Sequence, residues 1–173
     1  MEKPIVTDGD AVLRDKAQPV SEKEFGTDEL QALLTDLSDT LRVAPNGVAI
    51  AAPQIGVSKQ IFVVRGFIMA ERMRHDPESD SITDVAFINP KIVRASRKKE
   101  RFDEGCLSVP GVYGTIVRSH QVTVQAQDVT GTPFEVNAAG LLAEIFQHEI
   151  DHLEGVLFID NAEEAYKTEN HEA

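Results

Sequence analysis

The chain has 173 residues, 42% of them hydrophobic, with 17 basic and 29 acidic side chains that give a formal net charge of −12. This length and composition predict one globular domain with a sizeable core, and no apolar run is long enough to span a membrane. The acidic balance argues against direct nucleic-acid binding, whose affinity comes chiefly from lysine and arginine on phosphates. The single cysteine excludes an internal disulfide and, with no signal-peptide pattern at the N-terminus, predicts a cytoplasmic location.

The first half of the chain has the pattern of a scaffold. Thr27 is a candidate cap for a helix in which leucines recur at spacings of three and four, at positions 30, 33, 34, 37 and 41. Residues 61–64 and 85–93 predict two strands, the second interrupted by Pro90. The polar residues 66–84 between them predict a surface loop with room for one helical turn.

Two segments in the middle of the chain are candidates for function. Residues 47–56 are small and apolar and include Gln54, whose side-chain amide can donate an N–H. Residues 104–110 contain the only cysteine, Cys106, preceded by Gly105, which has no Cβ and lets backbone or substrate approach closely. A lone cysteine is more often a small buried hydrophobe, so Cys106 by itself does not indicate a site.

The sequence from 97 to 137 predicts exposed charge followed by antiparallel strands. The basic residues 97–101 have the composition of a solvated hairpin tip. Residues 122–126 alternate apolar and polar as in a half-buried strand, and Thr130-Gly131 turns the chain into a second strand at 134–136. Asn137 is a candidate cap for the helix that follows.

The most informative pattern is QHEIDHL at residues 147–153, which lies in a segment with helical apolar spacing that Gly155 can end. On a helix, His148 and His152 share one face a single turn apart, so both imidazoles can reach one metal ion. Glu149 is then close enough to handle protons on a water bound to that metal. An isolated match of this kind also arises by chance on a solvated helix face.

Two imidazoles leave the predicted metal site one protein ligand short. Catalytic zinc or iron sites usually take three protein ligands and keep one position open for water. The thiolate of Cys106 can supply the third ligand, and together with the helix motif this interpretation is favoured over a buried hydrophobe. Such a ligand set accepts iron(II), zinc, nickel or cobalt.

In this order and spacing, the three segments resemble the peptide deformylase family. That family carries Gly-x-Gly-Leu-Ala-Ala-x-Gln, then Glu-Gly-Cys-Leu-Ser, then His-Glu-x-x-His; the second matches residues 104–108 and the third residues 148–152. The resemblance implies a catalytic domain over residues 1–160, followed by a short acidic tail over residues 161–173. Together with the predicted elements it indicates an α+β fold, with antiparallel strands packed around a central metal-binding catalytic helix and an additional N-terminal helix.

The resemblance implies removal of the N-formyl group from the initiator methionine of nascent polypeptides, with release of formate. The ion, which the resemblance favours as iron(II), would lower the pKa of its bound water, whose proton Glu149 would take. The side-chain amide of Gln54 and the backbone N–H of Leu107 would stabilise the negative charge that develops. The expected partners are N-formylmethionyl nascent peptides, with a transient ribosome encounter through residues 97–101 as a weaker expectation. No direct nucleic-acid or membrane binding is expected.

An unfolded peptide must be bound through extended backbone, and segments 47–50 and 105–107 are suited to pair with it as added strands. For the apolar candidates, ordinary core packing is an equal alternative. The candidate substrate-binding residues are Gly47, Ala49, Ile50, Gly105, Leu141 and Ile145.

Two positions depart from the family pattern in ways that bear on substrate preference. Ala49 replaces the second glycine of the first motif. This replacement costs little conformational free energy if the φ of Ala49 is negative, but it narrows the substrate pocket if the Cβ points inward. Glu144 lies one turn before His148, where relatives with an apolar residue line the specificity pocket. Because an unpaired buried carboxylate is costly, we expect Glu144 to face solvent or a cation.

Three alternative functions stay open. A metallopeptidase could use the same two histidines and glutamate, although most such peptidases take histidine or carboxylate rather than thiolate as third ligand. A deformylase-like enzyme of altered specificity would explain Ala49 and Glu144. A non-catalytic formyl-peptide-binding module could keep the fold, but a degenerate site would be expected to have lost at least one of its functional residues.

Overall fold

A computed structural model describes residues 1–73 and 83–167 of the chain. The described part combines three α-helices with eight strands, so the predicted α+β class is confirmed. The helices are α1 (Asp28–Val43), α2 (Gly66–Met73) and α3 (Leu141–Leu153). The strands are β1 (Ala49–Ala51), β2 (Ile61–Val64), β3 (Val85–Ala95), β4 (Lys99–Cys106), β5 (Val109–Ser119), β6 (Gln121–Gln127), β7 (Pro133–Ala139) and β8 (Glu164–Lys167).

The strands form two antiparallel sheets with α3 packed against both. The first sheet has the order β1-β2-β3-β6-β7 and the second the order β4-β5-β8. Helix α3 contacts β1, β6 and β7 of the first sheet and β5 of the second. The C-terminal helix is therefore central, as the sequence predicted, and β1 forms one edge of the first sheet.

The first helix and the first two strands form as their apolar patterns predict. Thr27 caps α1 by accepting a hydrogen bond from the Leu30 backbone N–H at 3.3 Å. The helix packs its leucines on one face of β1 and β2, beside Ile50 and Ile61. The opposite face of these strands contributes Phe62 and its neighbours to a second core under α3. Alternation along the strands thus divides the interior into two layers.

Both ends of α3 are set by glycine. Asn137 lies in β7, paired with Thr123, so the predicted capping role of Asn137 is wrong: the ladder continues to Ala139 and the helix starts after Gly140. Gly155 has a φ of +76° and follows the helix, which confirms the predicted termination. A Cβ at Gly155 would also lie 2.4 Å from the Arg14 carbonyl oxygen, so glycine is required sterically as well.

Three predictions about the polar segments need correction. The segment predicted as a loop over 66–84 begins with helix α2, and residues 74–82 lie outside the described chain. Residues 97–101 do not form a hairpin tip, because β3 and β4 belong to different sheets, although Arg97 and Lys98 are exposed. The segment assigned to an acidic tail contains β8, which pairs with β5, and residues 168–173 lie outside the described chain.

Within residues 1–73 and 83–167, no helix is both long enough and apolar enough to cross a membrane.

Candidate metal centre and active site

A cavity of about 500 Å³ opens where β1, the β4–β5 turn and α3 meet. It is the place where the three segments singled out in the sequence come together. From these segments, Gln54, Cys106, Leu107, His148 and Glu149 all line it.

The predicted metal ligands converge at the buried end of this cavity. Helix α3 places the imidazoles of His148 and His152 one turn apart, with ring centroids separated by 5.0 Å. Cys106 ends β4, where the pairing with β5 shifts register after Gly105. Its Sγ lies 3.2 Å from His152 Nε2, and one ligand atom from each of the three residues lies within 4.8 Å of the others. Tetrahedral coordination of a zinc-sized ion places sulfur and nitrogen ligands about 3.5 Å apart, so these residues fit a metal ion.

The environment of the three ligands also suits a cation. His148 contacts a Glu104 carboxylate oxygen through Nδ1 at 2.9 Å, which leaves its Nε2 for a metal. The pKa of His152 is lowered well below its usual value, because burial and the neighbouring His148 charge disfavour a protonated ring. The backbone N–H of Ser108 points at Cys106 Sγ at 3.4 Å, which stabilises negative charge on the sulfur. The described residues therefore form a possible metal-binding group.

Glu149 lies beside these ligands as the sequence predicted. It is 4% exposed, and its Oε2 atom has no hydrogen-bond partner among the described residues. Burial raises the pKa of Glu149 to about 7, and the neighbouring charge of Glu104 contributes to the increase. A buried, unpaired carboxyl oxygen next to a possible metal site can hold and release a proton near neutral pH.

The side-chain amide of Gln54 is oriented by the backbone of Ala51. Its Oε1 accepts a hydrogen bond from the Ala51 N–H at 2.9 Å, which turns the Nε2 donor towards the cavity. There Nε2 lies 3.2 Å from Ser108 Oγ and 3.6 Å from Cys106 Sγ. Leu107 lies in the two-residue turn between β4 and β5 and lines the same cavity.

The sequence pattern missed a layer of charged residues directly beneath His148. Arg118 on β5 donates two hydrogen bonds to Glu104, with the Nη2–Oε2 pair at 2.9 Å, and a third to Asp151 at 2.7 Å. Glu104 in turn contacts His148, so the four residues form one buried charge network (Glu104, Arg118, Asp151 and His148). Although burial opposes its ionisation, the bonds from Arg118 and His148 lower the pKa of Glu104 to about 2. The position of Glu104 two residues before Cys106 was the available signal for this role.

Four of the six predicted substrate-binding residues line the cavity, and two do not. Ile50 is fully buried on the opposite face of β1, against α1, because side chains alternate along a strand. Leu141 is the first residue of α3 and is 57% exposed outside the cavity wall. These two predictions are corrected. The four residues that line the cavity are Gly47, Ala49, Gly105 and Ile145.

Two details of the cavity wall follow from small residues. Ala49 occupies ordinary strand backbone with no positive φ, so alanine is not strained at this position, and it lines the cavity. Tyr113 packs its ring over Gly105, where a Cβ would lie 2.8 Å from the ring. A larger residue at position 105 would therefore displace the Tyr113 ring, which lies at the cavity rim.

Glu144 is also in the cavity wall, contrary to the expectation that it would face solvent or a cation. Its side chain is half-buried, and one of its oxygens lies within 4.8 Å of a Glu104 oxygen and a His148 ring nitrogen. Burial, followed by the charge of Glu104, raises the pKa of Glu144 to about 8. The cost of a buried carboxylate is thus avoided by protonation rather than by an outward rotamer.

Comparison with known proteins identifies the family. The profile described as "Polypeptide deformylase" matches residues 2–168 of the chain. The chain belongs to the polypeptide deformylase family. The peptide deformylase of Thermomicrobium roseum is 46% identical to it over 160 residues, which cover 92% of this chain and 85% of the relative. The predicted resemblance is confirmed, and the protein is an enzyme of this family.

Solved structures agree with the same assignment. A peptide deformylase from Legionella pneumophila superposes with a TM-score of 0.78 at 42% identity, covering 93% of this chain and 86% of that one. A class I type b peptide deformylase from Acinetobacter baumannii, solved with bound Met-Ala-Ser, superposes with a TM-score of 0.80 at 32% identity. That alignment covers 93% of this chain and 98% of the other.

Proposed function

We propose that the cavity is the active site of a metal-dependent hydrolase that removes the N-formyl group from the initiator methionine of nascent polypeptides and releases formate. The observation that carries the proposal is the juxtaposition of Cys106, His148 and His152 with the unpaired buried oxygen of Glu149. Membership of the polypeptide deformylase family supports the reaction, and the Met-Ala-Ser peptide bound by the Acinetobacter baumannii relative supports the substrate class.

Substrate binding in this proposal uses backbone pairing. Strand β1 is at a sheet edge and borders the cavity, so an extended peptide can align beside it through main-chain hydrogen bonds. Gly105 and Leu107 form the facing wall. This arrangement holds the formyl group at the buried end of the cavity and leaves the rest of the peptide towards the rim. Recognition through backbone suits an enzyme that must accept many different sequences.

The chemistry is divided among the residues of the wall. A divalent ion held by the three ligands would supply a Lewis acid and activate water. Glu149 accepts the proton of the attacking water and passes it to the nitrogen that leaves. The amide of Gln54 and the backbone N–H of Leu107 donate hydrogen bonds to the formyl oxygen as negative charge develops on it. The Glu104 carboxylate fixes the ring of His148.

The proposal includes the setting in which the enzyme works. We place it in the cytoplasm, where a single unpaired cysteine can remain reduced as a ligand. A transient encounter with the ribosome is proposed through the exposed basic residues around Arg97 and Lys98. Iron(II) is the proposed ion in the cell, with zinc, nickel and cobalt as the other ions that this ligand set accepts.

The test is formate release from formyl-Met-Ala-Ser by protein purified without oxygen and loaded separately with iron(II), nickel, zinc or cobalt. We expect release with at least one ion, and its loss by a factor of about 100 or more in Glu149→Gln, which should still bind the metal. Release that persists in this variant would remove Glu149 from its role. Cleavage of internal peptide bonds faster than formyl groups would instead identify a metallopeptidase.

A further inference from the structure

The two groups that donate to the formyl oxygen in the proposed reaction lie on different walls of the cavity. Gln54 follows β1 of the first sheet, whereas Leu107 lies in the turn between β4 and β5 of the second sheet. Among residues 1–73 and 83–167, no strand ladder joins the two sheets. The distance between the two donors therefore depends on contacts that lie outside the sheets.

A short segment near the start of the chain makes such contacts with both walls. Within this segment (residues 5–8, called the strap below), the Val6 backbone N–H donates to the carbonyl oxygen of Gln54 at 2.9 Å. Two residues later, the Asp8 backbone N–H donates to the carbonyl oxygen of Ser108, the neighbour of Leu107, at 2.8 Å. The strap thus connects the wall that carries Gln54 with the wall that carries Leu107.

The strap is itself anchored on both sides. Before it, the Lys3 backbone N–H donates to Thr40 Oγ1 on α1 at 2.8 Å. After it, Arg14 bonds the Asp8 carboxylate at 3.0 Å and the Asp160 carboxylate at 2.6 Å. Because these anchors belong to neither wall, the strap can hold the walls in place rather than follow their movements.

A direct contact between the walls cannot do this alone. The Gln54 Nε2 atom lies 3.2 Å from Ser108 Oγ, but the same amide must also donate to the substrate. The carbonyl oxygens of Gln54 and Ser108 take no part in the proposed reaction. The two backbone bonds from the strap therefore persist while the Gln54 amide engages the formyl oxygen.

We propose that the strap is a positioning element, whose Val6 and Asp8 backbone N–H groups hold Gln54 and Leu107 at the separation that the formyl oxygen requires. The inference rests on the proposed deformylase function. Negative charge develops on that oxygen only in the transition state. Misplaced donors should therefore slow the chemical step and leave substrate binding nearly unchanged.

The inference can be tested by removing one backbone donor at a time. An α-hydroxy acid analogue introduced during translation replaces the amide by an ester, which removes the N–H and keeps the side chain. In the metal form most active on formyl-Met-Ala-Ser, the ester at Val6 or at Asp8 should lower kcat at least about tenfold. KM should stay within about threefold of wild type.

The ester at Thr7 is the matched control, because it lies between the two test positions. The Thr7 N–H donates to no atom in the part of the chain that the structure describes. Its replacement should leave kcat within about twofold of wild type, since no hydrogen bond is lost. Urea unfolding of each protein verifies that all are folded under the assay conditions.

A second background separates positioning from general stability. In Gln54→Ala the donor that Val6 positions is gone, so the Val6 ester should change kcat by less than about twofold there. The Asp8 ester should keep most of its effect, because its partner Ser108 is next to Leu107. Calorimetric affinity for the product Met-Ala-Ser, which has no formyl oxygen, should stay within about threefold in all variants.

The outcomes separate this inference from the proposed function. Formate release with equal kcat for the Val6, Thr7 and Asp8 esters would overturn the role of the strap and leave the deformylase function in place. A Val6 ester that slows wild type and Gln54→Ala by the same factor would also overturn it, because the effect would not pass through Gln54. A rise in KM at constant kcat would contradict positioning as well. Formate release by none of the proteins, including wild type, would overturn both.

Discussion

The apolar core of the first sheet and the buried charge network beneath the metal ligands are both largely excluded from water, with only Asp151 of the network partly exposed, but different physics holds them together. In the core, the rings of Phe62, Phe87 and Phe146 contact one another with centroids 4.7 to 5.9 Å apart. In the network, Arg118 binds Glu104 in a fixed two-pronged geometry. Apolar burial is not directional, whereas buried ions are stable only with their partners in place. The core should therefore tolerate change better, and only the network should connect folding to metal binding.

The largest effect is expected for Arg118→Met, which breaks the network. This variant leaves the buried Glu104 carboxylate without its arginine partner, so the free energy of unfolding should fall by about 3 to 5 kcal/mol. Zinc affinity should also fall by about 10- to 100-fold, because Glu104 would no longer be held against His148. Urea denaturation of the metal-free protein and competition with a zinc chelator measure the two quantities.

Arg101→Met is the matched control for this prediction. Arg101 is exposed and bonds Glu163 at 3.0 Å, so its loss should lower the free energy of unfolding by less than about 1 kcal/mol. If Arg118→Met kept the zinc affinity of wild type, the network would support folding alone and the proposed link to the metal would be wrong.

The corresponding apolar change is Leu37→Ala in α1, in the other apolar layer, between this helix and the first sheet. Leu37 is fully buried between the helix and the first sheet, so its truncation should cost about 2 to 5 kcal/mol of the free energy of unfolding. Because no residue of the charge network belongs to this cluster, zinc affinity should stay within about twofold of wild type. The same two assays apply. A tenfold loss of zinc affinity in folded Leu37→Ala would show that the two regions are coupled, contrary to the comparison.

The two regions also differ in how far the sequence predicts them. The elements α1 and β2 can be predicted because their apolar patterns are recognised within a few neighbouring residues of the sequence. The network does not, because Arg118 lies 14 residues from Glu104 and 33 from Asp151, and only strand pairing and helix packing bring them together. Glu144 was misplaced for the same reason, because the Glu104 carboxyl beside it belongs to β4 rather than to its own helix.

Where a local sequence signal conflicted with strand pairing, the pairing determined the secondary structure. Asn137 has the chemistry of a helix cap, but the β6–β7 ladder holds it in a strand and the helix starts after a glycine. By contrast, the two histidine ligands were predictable from the sequence. Residues four apart, such as His148 and His152, lie on the same face of any α-helix. Cys106 required the second motif, because nothing near it in sequence shows that β4 ends beside α3.

A smaller effect is expected at the cap of α1, on the core side of the comparison. Thr27→Ala removes the side-chain acceptor for the Leu30 N–H and should lower the free energy of unfolding by about 1 kcal/mol. Thr27→Ser, which keeps the hydroxyl, should restore most of it. Zinc affinity should not change in either variant. Equal unfolding midpoints for the alanine and serine variants would show that the cap contributes nothing.

The smallest effect concerns Glu24, which sharpens the comparison by contrasting an exposed carboxylate with the buried Glu104. Lys59 donates to Glu24 at 2.6 Å, and this bond, with those from Ser21, lowers the pKa of Glu24 to about 2. The carboxylate form is thus favoured in the folded state, so its contribution to stability is complete above a pH of about 4.5 and is lost as pH falls towards about 2. Glu24→Gln should therefore lower the urea midpoint slightly at pH 6 and by a smaller amount at pH 3, with Glu22→Gln as the control for charge. A difference that grows as the pH falls would contradict this assignment.

Because Glu24 is exposed and screened by solvent, the same lowered pKa should matter less for stability at Glu24 than at Glu104, where burial leaves Arg118 as an indispensable partner.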